Sequence, residues 1–174
     1  MKTSFLHIYR IFKVTAISIL FLIAGLFQFQ NGYGAGSPKV SLPSPQELRQ
    51  KANIHFDKGE SFRKQEKYKE ASKAYKKAVR ADSTYAEAYN NLGYTYRKQN
   101  LYGKAVKAYQ KAIKLKPKLA QAHEYLGEAY AEMDEFEKAE KELGILRELG
   151  SEEADKLEKF IADTKAGKKT DSKW

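Results

Sequence analysis

Three consecutive stretches of this chain align in rows of 34 residues without a gap, and that period constrains the fold more than any other feature. The rows run 52–85, 86–119 and 120–153. Gly59, Gly93 and Gly127 share the eighth column, Phe62, Tyr96 and Tyr130 the eleventh, and Ala71, Ala105 and Ala139 the twentieth. Recurrence at a fixed long period means stacked supersecondary units, each burying its apolar face against the next. Within the second row, Leu92, Gly93 and Tyr96 fall at i, i+1 and i+4, and Ala105, Tyr109 and Ala112 at i, i+4 and i+7, so each set occupies one helical face. The polar residues and glycine of "RKQNLYGK" between them mark a connection. Each row therefore reads as a helical hairpin. Small residues at the eighth and twentieth columns let the two helices approach, and the eleventh-column ring is expected to fill the space beside them.

On these columns the rows resemble the tetratricopeptide repeat family, whose pattern is W-x2-L-G-x2-Y, then A-x3-F, a further alanine and a closing proline. The second row matches nearly throughout, with Tyr89 at the usual Trp position and then Leu92, Gly93, Tyr96, Ala105, Tyr109, Ala112 and Pro117. The first carries His55, Lys58, Gly59, Phe62, Ala71, Tyr75, Ala78 and Ser83, and the third His123, Leu126, Gly127, Tyr130, Ala139, Leu143, Leu146 and Ser151. The resemblance covers residues 52–153. It implies an all-α fold, a right-handed superhelical stack of three helical hairpins closed by a C-terminal capping helix. For that cap the sequence offers residues 151–166: Ser151 as the N-cap, Glu152 and Glu153 in the first turn, and Leu157, Phe160 and Ile161 as the apolar stripe.

Outside the repeats the chain changes character. Lys2, Arg10 and Lys13 precede the uninterrupted apolar run Val14–Phe27, and the small residues Gly34, Ala35 and Gly36 follow. This order predicts a signal peptide or N-terminal membrane anchor over 1–36. The run of 14 residues falls short of the roughly 20 that cross a bilayer, which favours removal after export over permanent anchoring. Either way the remainder is expected outside the cytoplasm, periplasmic or secreted if cleaved, otherwise tethered to the inner membrane. Residues 37–47 hold three of the four prolines and read as a linker, the repeat domain is expected over 48–166, and 167–174 is a basic tail.

The chain has no cysteine, which removes disulfides, thiolate nucleophiles and cysteine-ligated zinc. His7 lies in the export segment, and His55 and His123 occupy the same fourth column, where a partly buried ring is wanted, so both read as packing residues. Neither a Ser-His-Asp order, nor H-E-x-x-H, nor a phosphate loop, nor calcium-loop spacing occurs, and the acid-rich "EMDEFEKAEKE" lacks the alternation and central glycine of a calcium site. The expectation is a binding module with no enzymatic activity, no cofactor and no metal.

The resemblance implies a concave groove lined by the first helix of each hairpin, with ligand-facing residues at columns 2, 5, 9, 12 and 13. In this sequence these are Asn53, Phe56, Glu60, Arg63 and Lys64, then Glu87, Asn90, Tyr94, Arg97 and Lys98, then Gln121, Glu124, Glu128, Ala131 and Glu132. Arg63 with Lys64 and Arg97 with Lys98 stack one period apart beside Phe56 and Tyr94, which are expected to be exposed rings, an arrangement suited to an acidic or carboxylate-bearing peptide. The chaperone-tail carboxylate clamp known in the family is not expected, because its positions hold Phe56, Glu60, Asn91, Gln121 and Tyr125, of which only Asn91 fits.

The formal charge of +10 is unevenly placed: the three rows carry +4, +7 and −8. Such a dipole allows head-to-tail self-association or a partner of reversed polarity. The leading function is a non-enzymatic scaffold in an envelope, secretion or surface assembly. The alternative is electrostatic attachment of the first two repeats to an anionic polymer, lipid surface or nucleic acid. In "LYGKAVKAYQKAIKLKPK", Lys104, Lys107, Lys111, Lys114 and Lys118 step along one face while Ala105, Tyr109 and Ala112 lie on the other, so nucleic acid is the lesser possibility and a solvated outer stripe the default.

Overall fold

Ser44 caps the first helix among the described residues. In the computed structural model, which describes residues 42–168, Ser44 Oγ accepts from the Glu47 N–H (3.2 Å) and the Glu47 carboxylate accepts from the Ser44 N–H (2.7 Å). This reciprocal capping box, with Pro45 at the first helical position, starts helix α1 at Pro45–Lys64. The expected linker therefore ends at Ser44 and not at 47, because Pro45 has the fixed φ that opens a helix and lacks an N–H that would go unpaired there. The expected export segment 1–36 and most of the linker lie outside the described residues.

Six more helices follow: α2 Tyr68–Ala81, α3 Ala86–Arg97, α4 Tyr102–Leu115, α5 Ala120–Ala131, α6 Phe136–Glu148 and α7 Glu153–Lys165. The first six form three antiparallel hairpins, each stacked on the next, and α7 packs on both helices of the third. The chain divides at Leu42 into two units, and all seven helices belong to the second. Among the described residues no strand is present and no helix is long and apolar enough to cross a membrane.

The turn inside each hairpin is the same device three times. Glu66, Asn100 and Asp134, all at column 15, adopt left-handed φ values of 57°, 58° and 58°. Beyond them the N–H groups of Lys67, Leu101 and Glu135 reach back to the carbonyls of Phe62, Tyr96 and Tyr130, each at 2.9 Å, and these carbonyls also accept from the N–H groups of Gln65, Gln99 and Met133, which closes the end of the first helix. Asn and Asp tolerate this backbone region well; Glu66 does so at a cost.

Packing across each hairpin turns on the eighth-column glycine. A Cβ built on Gly59 would stand 2.5 Å from the Tyr75 ring, and one on Gly93 2.6 Å from the Tyr109 ring. The ring that fills the space beside the glycine is thus a fully buried tyrosine of the second helix, and not the eleventh-column ring expected from the sequence; Phe62 and Tyr96 are only half-buried. In the third hairpin the same position is covered differently, because Gly127 lies under Leu157 of α7, where a Cβ would meet the leucine at 2.5 Å. The capping helix supplies what column 24 of a hairpin would otherwise provide, and Leu157, Phe160 and Ile161 join Leu126, Leu143 and Leu146 in one core. Ser151 does not cap α7 as expected. Its hydroxyl donates to the Glu153 carboxylate, and Glu152 stands at the N-cap position without a side-chain bond.

Candidate functional site

The first helices of the three hairpins, α1, α3 and α5, stand side by side and enclose a small pocket of about 120 Å³, lined by Arg63, Asn91, Tyr94, Gln121 and Tyr125. Its polar groups are held by a chain of contacts between successive repeats. Glu60 accepts from Arg63 Nε (3.2 Å) and Nη2 (2.7 Å), from Asn91 Nδ2 (2.6 Å) and from the Tyr75 hydroxyl. Burial opposes ionisation of Glu60, but the bonds from Arg63, Tyr75 and Asn91 outweigh it and hold the carboxyl below its usual range. Asn90 Nδ2 donates to Gln121 Oε1 (2.9 Å) and Gln121 Nε2 donates to the Tyr125 hydroxyl (3.2 Å). Burial pushes the Tyr94 and Tyr125 phenols up to about 12, so both stay protonated hydroxyls at neutral pH. Their rings lie 5.5 Å apart and form the apolar wall. Among the described residues Arg63 Nη1 has no acceptor, so the pocket combines an unspent guanidinium nitrogen, amide donors and two phenols, a donor-rich surface that suits a carboxylate.

Beyond the pocket, toward α7, the concave side is filled. Arg97 is only 3% exposed; its Nη2 stands 2.6 Å from Glu128 and its Nη1 3.2 Å from both Glu132 carboxylate oxygens. The Tyr94, Tyr125 and Phe160 rings surround the guanidinium at 5.9, 5.8 and 6.0 Å. Burial pulls against its charge, and the facing carboxylates Glu128 and Glu132 outweigh that. The Glu128 carboxyl itself is pushed up by burial and restrained by Arg97. Glu124, buried one turn before it, has no such partner, and burial together with the Glu128 charge raises it to about 7.

The residues expected to face a ligand therefore divide. Arg63, Tyr94 and Gln121 line the pocket together. Lys64 and Asn53 are exposed on α1, and Lys98 lies with its ammonium 5.5 Å from the Tyr94 ring. Glu87 is bound to Lys116 at 2.9 Å, away from the pocket. Phe56 is not an exposed ring, because it stacks on Tyr85 at 5.0 Å and meets Tyr75 edge-on at 5.6 Å. Tyr94 is likewise not an exposed ring, being 8% exposed between Tyr68, Tyr125 and the arginines. Arg97, Glu124, Glu128, Ala131 and Asn90 are buried, and Arg97 is an internal counter-ion with no reach to a ligand. The sequence reasoning missed Asn91 and Tyr125 as lining residues. Both stand at column 6, a column considered only for the clamp. His123 is a packing residue as its column implied, its ring nitrogens 2.7 Å from the Glu142 carboxylate and 3.0 Å from the Pro117 carbonyl.

Comparison with known families agrees with the column register. Residues 59–100 match a TPR repeat model and residues 86–119 a tetratricopeptide repeat model. The chain carries a tetratricopeptide-repeat domain. Among solved structures the domain is similar to the first TPR of Spaghetti (RPAP3) bound to the HSP90 peptide SRMEEVD, at 28% identity and a TM-score of 0.61, covering 68% of this chain and 95% of that one. It is also similar to the first TPR domain of human RPAP3 (26% identity, TM-score 0.61, 74% of this chain and 99% of that). The fold is shared with the TPR2B domain of yeast Sti1 complexed with an Hsp70 peptide (18%, TM-score 0.64, 68% and 99%). No curated protein matches the sequence. Tetratricopeptide domains are non-enzymatic interaction modules, and this one has the fold of domains that hold peptides.

Proposed function

We propose that this tetratricopeptide domain is a scaffold that captures an acidic peptide segment outside the cytoplasm, with one carboxylate seated in the pocket between Arg63 and Tyr125. The observation that carries the reading is the donor-rich character of that pocket. Arg63 Nη1 has no acceptor among the described residues, the Tyr125 hydroxyl accepts from Gln121 and keeps its own proton to donate, and Glu60 is spent on Arg63, Asn91 and Tyr75. A volume of about 120 Å³ suits a carboxylate with a methylene or two, and the Tyr94 and Tyr125 rings shield that contact from water. The peptide of the RPAP3 relative, SRMEEVD, is itself acidic, which agrees in kind although the residues here differ from the chaperone-tail clamp. Lys2, Arg10 and Lys13 before the apolar run Val14–Phe27 support export, and on that reading the partner belongs to an envelope, secretion or surface assembly.

Two measurements test this. Arg63→Glu and Gln121→Ala, both at positions open to solvent on one side, are titrated with fluorescent acidic peptides beside the wild type. Loss of binding tenfold or more for Arg63→Glu with unchanged melting supports the site, and equal affinity refutes it. Alkaline phosphatase fused to the C-terminus is active only outside the cytoplasm, so an inactive, full-length fusion contradicts the export reading.

A further inference from the structure

The outward faces of α2 and α4 carry charge that no carboxylate among the described residues answers. Together the two helices hold nine basic residues, Lys69, Lys73, Lys76, Lys77, Arg80, Lys104, Lys107, Lys111 and Lys114, against the single acid Glu70. Among the described residues none of the nine forms an ion pair. The third repeat behaves otherwise, since there Lys138 pairs with Glu135, Arg147 with Glu158 and Lys165 with Glu140. Spacing places each row on one helical face: Lys73, Lys76, Lys77 and Arg80 on α2, and Lys104, Lys107, Lys111 and Lys114 on α4. The rows are joined across the seam, because Lys76 and Lys104 both stand over the Tyr96 ring, at 6.0 and 5.9 Å. The result is one continuous cationic surface on the opposite side of the hairpins from the peptide pocket.

We propose that this surface docks the domain onto an anionic lipid bilayer. Holding so many like charges on adjacent helices is unfavourable in isolation and is relieved by a dense array of negative headgroups. The rest of the chain points the same way. In the chain that retains the apolar run Val14–Phe27, the run is short for a spanning helix and makes a weak anchor alone, whereas one modest hydrophobic signal plus a polybasic face gives stable attachment; after cleavage the cationic face acts alone. Only 17 residues separate Phe27 from Pro45, an extended reach of at most about 60 Å, so a domain tethered by the run stays within range of the headgroups. Single-stranded nucleic acid fits less well, for it needs open rings on which bases stack, and Tyr96 and Tyr89 lie beneath Lys76, Lys104 and Lys111. Docked in this way, the domain turns its pocket away from the membrane.

The chain lacks cysteine, so a single cysteine can carry an environment-sensitive dye: Gln110→Cys on α4, and Glu137→Cys on α6 as the control. The full chain is mixed with vesicles of phosphatidylglycerol or of phosphatidylcholine. The account expects the label at 110 to report lipid contact with phosphatidylglycerol only, the label at 137 to stay silent, and the signal to fade at high salt. Each basic residue near an anionic surface multiplies partitioning about fivefold, so K73E/K77E/K107E/K114E should weaken it by at least about 100-fold. K73Q/K77Q/K107Q/K114Q, milder on folding, should give an intermediate loss, and thermal melts of both check that the fold survives. Equal signals on the two lipids, or an unchanged signal in the folded glutamine variant, overturn the proposal. So does tight binding of an oligonucleotide without any vesicle signal, which assigns the surface to nucleic acid.

Discussion

Replacing Glu124 by glutamine should stabilise the protein at alkaline pH and leave it nearly unchanged in acid. Glu124 is 6% exposed on α5, facing Glu128 on its own helix, Arg97 from α3, and Glu153 and Lys156 from α7. Burial and the Glu128 charge raise its carboxyl to about 7 from an ordinary value of 4.5, and that gap corresponds to about 3 kcal/mol. The sign follows from proton counting. Between pH 4.5 and 7 the native chain binds a proton at this site that the unfolded chain has released, so the site's contribution to stability is present in acid and lost as pH rises through 7. A glutamine cannot ionise and escapes that loss. Urea unfolding of wild type and Glu124→Gln at pH 4, 5, 6, 7 and 8 should give a difference near zero at pH 4, about 1 kcal/mol at pH 5, and about 3 kcal/mol at pH 8. Carboxylates held low by their partners, such as Glu60, Asp82 and Glu87, tilt both curves equally and cancel in the difference. A difference independent of pH, or a variant weaker than wild type throughout, would refute the description of Glu124 as a buried carboxyl without a partner.

Three further outcomes follow from the packing. Arg97→Met leaves Glu128 buried and unpaired and should cost about 3–5 kcal/mol in a denaturant titration, far more than a surface arginine; a loss below 1 kcal/mol contradicts its burial. Gly93→Ala should destabilise by about 1–3 kcal/mol because the new Cβ meets Tyr109 at 2.6 Å, whereas Gly144→Ala, with nothing within 4 Å, should stabilise by about 0.5–1 kcal/mol; melting curves of the pair separate close approach from helix propensity. Glu66→Gly should stabilise by about 0.5–1 kcal/mol, since its left-handed φ of 57° penalises a side chain, and no gain in melting temperature would refute strain at that turn.

The hairpins were legible because glycine and alanine recur where helices must touch, and the 34-residue register carries that requirement from row to row. What the columns hid was how residues of neighbouring rows use one another up. Arg97 reads as a free cation on its own row, yet its partners Glu128 and Glu132 lie one row later at columns 9 and 13, and Phe160 closes over it from outside the repeats. An arginine at column 12 followed by acids at those two columns was the available signal. Asn91 and Tyr125 were missed for a related reason, since a pocket between three helices takes its lining from column 6 as well as from the ligand columns. The start of α1 was hidden by proline, which reads as spacer until the Ser44 and Glu47 box shows it opening a helix.

The most direct measurement of the central claim follows the side-chain amides of Asn91 and Gln121 by NMR while an acidic peptide is added. The account predicts that these two resonances and the backbone amides around Arg63 shift together and saturate at one affinity, with the α2 and α4 lysine faces unmoved. Shifts confined to α2 and α4, with Asn91 and Gln121 undisturbed at saturation, would contradict it.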